Sequence, residues 1–250
     1  MDVTQSREEL VQAIGDDDLA SVQRISASLP PSVLGWAVSA AAFWGHRRIV
    51  DFLVKYGCAV QDCDAAGYTP LHEAARSMNV NAETVRLLVE SGADVNSEAE
   101  GGWRITPLHL VLHRIPLRAE DRRIVEYLLE KGARVNSLAE AVALEDERLA
   151  LQMIGAGTPL EEVIYPSERT ALHVAAMLNS VAVAAELIRR GVWLDAPNGE
   201  HQTALELASS DELRKMLLAA GARTNDGVWE EINSATTFGN FVKGIGRHTG

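Results

Sequence analysis

Cysteine is almost absent from this chain, with two residues in 250, Cys58 and Cys63. A chain of this size needs no disulfide to fold, so the scarcity fits a reduced intracellular compartment, and the close spacing of the pair matches no metal signature. Long apolar runs are missing too. The longest, LGWAVSAAAFWG over 34–45, falls short of the roughly 18 residues that a spanning helix needs. The opening MDVTQSREEL is polar and acidic, where a signal peptide begins basic and turns apolar. Basic residues are outnumbered 23 to 35, giving a net charge of −12. Such a field repels phosphate backbones, so neither nucleic acid nor an anionic membrane is an expected partner. The expected protein is soluble and cytoplasmic. Nucleophile elbows, phosphate-binding loops and paired Cys/His signatures are all lacking, which leaves acyl and phosphoryl chemistry without its markers.

What the sequence does have is repetition. GYTPLHEAAR at 67–76 returns as RITPLHLVLH from Arg104 and as ERTALHVAAM from Glu168, and the opening threonines of these words and a fourth, Thr69, Thr106, Thr170 and Thr203, lie 37, 64 and 33 residues apart. A second phrase follows the first three words: VRLLVESGADVN ending at Asn96, VEYLLEKGARVN at Asn136 and AAELIRRGVWLD at Asp195. Thr is a good helix N-cap, and Pro70 and Pro107 sit where a missing N–H costs nothing. Val85, Leu88 and Val89, or Val125, Leu128 and Leu129, define the apolar face of a second helix, ended by Gly92 or Gly132. Neither helix buries its face alone, so the repeated letters are repeated packing positions in a solenoid.

These words resemble the ankyrin repeat, a unit of about 33 residues. The resemblance implies an all-α solenoid of stacked helix pairs with short β-hairpin fingers, the fingers and the inner helices lining a concave binding surface. About seven units are expected over 1–227, with an N-terminal cap at about 5–33. A degenerate fifth unit, about 138–160, has lost the segment between Asn136 and its first helix. Residues 228–250 are expected to form a capping helix, through Val228, Trp229 and Ile232, and a flexible tail.

Candidate chemistry is sparse. His72, His109 and His173 occupy the family's histidine slot, where a structural hydrogen-bonding role is expected. His109 and His113 are four apart, a spacing that could turn two nitrogens toward a metal, but no third ligand is evident, and no metal or cofactor is expected. The acids at 16–18 and 145–147 lie beside helix starts, where they favour the helix dipole. Cys58 is expected to pack and Cys63 to be exposed. Leu88 with Asp94, Val95 and Asn96 resembles the asparagine-hydroxylation pattern of some ankyrin proteins, which makes Asn96 a modification candidate, although the same letters are also the finger's own turn.

The function expected is therefore non-catalytic protein binding through the concave finger and inner-helix surface, to a partner with a basic patch. An inhibitor or immunity-type protein that blocks an enzyme or toxin with its acidic surface is the alternative, and a metal-dependent enzyme built on His109 and His113 is the alternative of another class. Aligning the units places Phe43, Trp44, Tyr68, Arg76, Trp103, Arg104, Ile105 and Arg114 on the binding side, and Trp, Tyr and Arg commonly dominate interface energy. The basic stretch HRIPLRAEDRR at 113–123 is expected to form a long inter-helix loop after Pro116 stops the helix, with Arg118, Arg122 and Arg123 projecting from it.

Overall fold

The computed structural model describes residues 3–79, 81–99, 105–164 and 166–225. The chain divides into two compact units, Met1–Arg134 and Val135–Gly250. In the first, α1 (Val3–Gly15), α3 (Gly35–Trp44), α5 (Pro70–Arg76) and α7 (Pro107–Leu112) pack in one row, each against the next. A second row consists of α2 (Leu19–Ser26), α4 (Arg47–Lys55), α6 (Ala82–Glu90) and α8 (Ala119–Glu130). The second compact unit repeats the scheme, with α9 (Leu138–Ala143), α11 (Ala171–Met177) and α13 (Ala204–Leu207) in one row and α10 (Glu147–Gly155), α12 (Val181–Arg189) and α14 (Asp211–Ala219) in the other.

Small side chains let the first row pack closely: Ala37, Ala41, Ala74, Ala75, Ala175 and Ala176 are all buried. The second row buries branched residues, and here the sequence-based face needs correction. Thr84, Val85 and Leu88 are buried in α6, and Ile124, Val125 and Leu128 in α8, whereas Leu129 is exposed. Two members of each expected triplet face inward, but the third is the residue before them, Thr84 or Ile124, in place of Val89 or Leu129, because each helix turns its i, i+1, i+4 positions inward. Turns after the helices follow expectation, with Gly92 and Gly132 at φ 97° and 88°, a left-handed geometry that glycine adopts without steric cost.

Thr69, Thr106, Thr170 and Thr203 are the N-caps of α5, α7, α11 and α13. Where the threonine word is missing, α3 begins after Leu34 with no side-chain cap. The shortened fifth unit starts α9 directly behind Asn136, with Ser137 capping it through Glu140 N–H at 3.2 Å. The acids beside helix starts also cap: Asp18 accepts from Ser21 N–H at 3.1 Å and Asp146 from Leu149 N–H at 2.9 Å.

The fingers are closed by few bonds. Asp64 N–H reaches Tyr68 O at 3.1 Å, Ala99 N–H reaches Ile105 O at 2.9 Å and Asn198 N–H reaches Gln202 O at 2.9 Å. Among the described residues, paired strands form in one finger, β1 (Val163–Ile164) against β2 (Arg169–Thr170).

Candidate binding surface

Arg76, at the end of α5, lies over two aromatic rings. Its guanidinium carbon is 5.1 Å from the Phe43 centroid and 5.2 Å from the Tyr68 centroid, within cation–π range of both. Glu73, one turn back on α5, fixes the fork with bonds of 2.8 and 2.9 Å and raises the pKa of the guanidinium above its ordinary value. Phe43 also meets Trp44 edge-on at 5.6 Å, and Tyr68 meets His72 at 5.5 Å. Outside this stack stand Trp44, 48% exposed, and Met78, 75% exposed. Gly45 makes the geometry possible: at φ 77°, a Cβ there would stand 2.5 Å from the Asn79 carbonyl, so glycine lets the end of α3 approach the following loop. Four of the residues selected from the sequence, Phe43, Trp44, Tyr68 and Arg76, are thus brought together. Sequence reasoning missed the positioning role of Glu73, although the Glu–Arg spacing of three on one helix was a usable signal.

Two other candidates are corrected. Ile105 is 3% exposed. Its backbone closes the finger with Ala99, and its carbonyl faces His72 Nε2 at 3.0 Å. Arg114 has a side chain only 14% exposed, 3.5 Å from the buried Asp121 carboxylate. Its guanidinium donates to the carbonyls of Ala75 and Ser77, so it ties its own loop to the end of α5 and offers no contact outward. Pro116 does follow the end of α7, as expected, but α8 begins at Ala119, so Arg122 and Arg123 are helical and Arg118 is the N-cap. Trp103, Arg104 and the tail from 226 lie outside the described residues.

Asn96 joins two successive turns. Its Nδ2 donates to Gly132 O at 3.0 Å, and its Oδ1 accepts from Arg134 N–H at 2.9 Å. Glu161 accepts from Trp193 N–H at 2.8 Å and Asp195 from Arg223 N–H at 2.7 Å, while Gln61 donates to Gly92 O. One polar side chain, four residues after the turn glycine, is handed forward to the next turn each time. The family's histidine slot works similarly: His72 and His173 each accept the preceding threonine's N–H at 3.1 Å through Nδ1 and place Nε2 3.0 Å from a carbonyl ahead, of Ile105 and Gln202.

The ankyrin repeat family model matches residues 38–139 in its three-copy form and 167–199 as a single repeat, together more than half of the chain. The chain belongs to the ankyrin repeat family.

Ankyrin repeats are in general protein–protein interaction modules, and the relatives share that architecture. An ankyrin repeat protein of Rickettsia bellii is 26% identical over 155 residues, covering 62% of this chain and 21% of the relative. Neurogenic locus notch homolog protein 1 of Xenopus laevis is 29% identical over 171 residues, 65% of this chain and 6% of the relative. The ankyrin repeat protein described here therefore spans about a fifth of the length of the first of these relatives and less of the second. The crystal structure of the human ASB11 ankyrin repeat domain is 21% identical, with a TM-score of 0.50, and the match covers 86% of this chain and 98% of that domain. Among the described residues of this ankyrin repeat protein, no three His, Cys, Asp or Glu side chains group as a metal site. His109 is buried and His113 Nδ1 faces Leu110 O at 2.6 Å. Cys58 is buried, which raises its thiol pKa, and Cys63 is exposed. No helix among the described residues is long and apolar enough to cross a membrane.

Proposed function

We propose that this chain binds a protein partner without catalysis, through the surface formed by Phe43, Trp44, Tyr68, Arg76 and Met78. The observation that carries the reading is the stack of Arg76 on Phe43 and Tyr68, with the guanidinium locked by Glu73. Ordering these long side chains before binding removes part of the entropy cost of association. Exposed Trp and Met beside an ordered Arg supply the apolar centre and polar handle that dominate interface energy. Trp103 and Arg104, selected from the sequence alignment, belong to the proposal as well. A cytoplasmic location accords with the two free thiols.

The test is affinity selection from the source cell with the intact chain and with Trp44→Ala and Arg76→Ala, followed by titration of the recovered partner. Each substitution should weaken binding by on the order of 2 kcal/mol, with melting temperatures close to the parent. A partner held equally well by both variants would place the binding surface elsewhere.

A further inference from the structure

We infer that the cleft between the finger Gln61–Asp64 and the start of α3 receives an Arg or Lys side chain from a basic segment of the protein partner. This deepens the binding reading above and rests on it. The cleft has a volume of about 530 Å³ and is lined by Val33, Trp36, Ser39, Asp62, Cys63 and Asp64 among others. Its walls divide by chemistry. Val33, an exposed apolar residue, and Trp36 give an apolar flank, while Asp62 and Asp64 bring two carboxylates from the finger. A long cationic side chain has the same division, an apolar stem ending in a charge.

The two carboxylates are differently employed. Asp64 Oδ1 already accepts the N–H groups of Ala66 and Tyr68, both at 2.9 Å, which shapes the finger. No hydrogen bond or ion pair from another described residue reaches Asp62. Its position is nevertheless specified: a Cβ on Gly35 would stand 1.8 Å from Asp62 Oδ2, so the glycine at the first position of α3 leaves room for that carboxylate. Trp36 shows the ring chemistry in place, since the Arg7 guanidinium lies 4.9 Å from its centroid. Arg7 is seated on the Trp36 ring, and Arg76 on Phe43 and Tyr68. The net charge of −12 makes a basic segment the complementary partner surface, and it steers such a segment toward the chain at low salt. Asp64, on the wall of the cleft, also accepts the Tyr68 N–H, so the cleft and the Arg76 stack draw on the same finger.

The experiment uses the full chain labelled with ¹⁵N and three probes: a capped Gly-Ser-Gly-Arg-Gly-Ser-Gly peptide, its citrulline counterpart and spermidine. The arginine peptide is expected to shift the Trp36 indole N–H and the Asp62 and Cys63 amides, with affinity about tenfold above the citrulline peptide. Asp62→Asn should lower that affinity about tenfold, and Glu212→Gln on α14 should leave it unchanged. Equal affinity for the citrulline peptide, no shift at Trp36 at millimolar peptide, or tighter binding of spermidine than of the peptide would each overturn the inference. Its failure is separable from failure of the broader reading: if Trp44→Ala weakens partner capture while Asp62→Asn leaves it unchanged, the Arg76 surface stands and the cleft does not.

Discussion

His72 and Ile105 are 33 residues apart in sequence, yet the imidazole Nε2 stands 3.0 Å from the isoleucine carbonyl. At the other side of the ring, Nδ1 accepts Thr69 N–H at 3.1 Å. A carbonyl can only accept and an N–H can only donate, so the ring is neutral with its proton on Nε2. Protonating Nδ1 would set two donors against each other in a buried site. His173 repeats the arrangement between Thr170 and Gln202.

Acid should therefore destabilise the fold through these two histidines. Burial holds the pKa of His173 down to about 4 from 6.5 and that of His72 below the same ordinary value. A depressed histidine contributes stability that is complete above the unfolded value and lost as pH falls toward the folded one. For His173 the contribution lost between pH 6.5 and 4 is on the order of 3 kcal/mol. Urea titrations at several pH values should show this slope, and a His72→Gln/His173→Gln variant, though weaker at pH 7, should show much less of it.

Arg114→Ala should be among the costliest single changes in the chain. It strips the partner from an Asp121 side chain that is 2% exposed, and stranded buried charges cost about 3–5 kcal/mol. Adding Asp121→Asn should recover part of the loss, because the amide oxygen still accepts Arg118 N–H. Denaturation midpoints of the single and double variants decide the point, and additive losses would contradict it.

Glu161→Gln should stabilise the chain at neutral pH. Burial raises the carboxyl's pKa, only partly offset by the bond from Trp193 N–H. An acid with a raised folded pKa favours the fold below its unfolded value and loses that advantage as pH rises through the folded one. Glutamine keeps the acceptor without the charge, so its melting temperature should exceed the parent's at pH 7 and converge with it in acid.

Asn96→Ala should cost about 1–2 kcal/mol, the usual range for removing a satisfied polar bridge. Asn96→Asp, which retains an acceptor for Arg134 N–H, should fall between the two. Chemical denaturation of the three proteins gives the order directly.

The architecture was legible because packing repeats write themselves as letter repeats: Thr caps, turn glycines and paired apolar positions lie close in sequence and act locally. Residues whose role depends on another unit were harder to read. Ile105 and Arg114 align with variable surface positions, yet one is buried with its backbone paired to Ala99 and the other is drawn inward by Asp121 and the end of α5. Nothing in the spacing of single units reports a carbonyl 37 residues away. The aromatic cluster was readable because Phe43 and Arg76 sit at equivalent helix ends of neighbouring units and Tyr68 directly precedes the Thr69 cap, so alignment of the units placed all three on one side.

The forward bridges from Asn96, Glu161 and Asp195 give the chain a direction. In each, an earlier side chain accepts a backbone N–H that belongs to a later turn. A chain growing from its N-terminus therefore presents each new turn with an acceptor already folded and waiting. Removing units from the two ends is correspondingly unequal. Loss from the C-terminal end frees a side-chain acceptor, whereas loss from the N-terminal end frees a backbone N–H of the turn that follows.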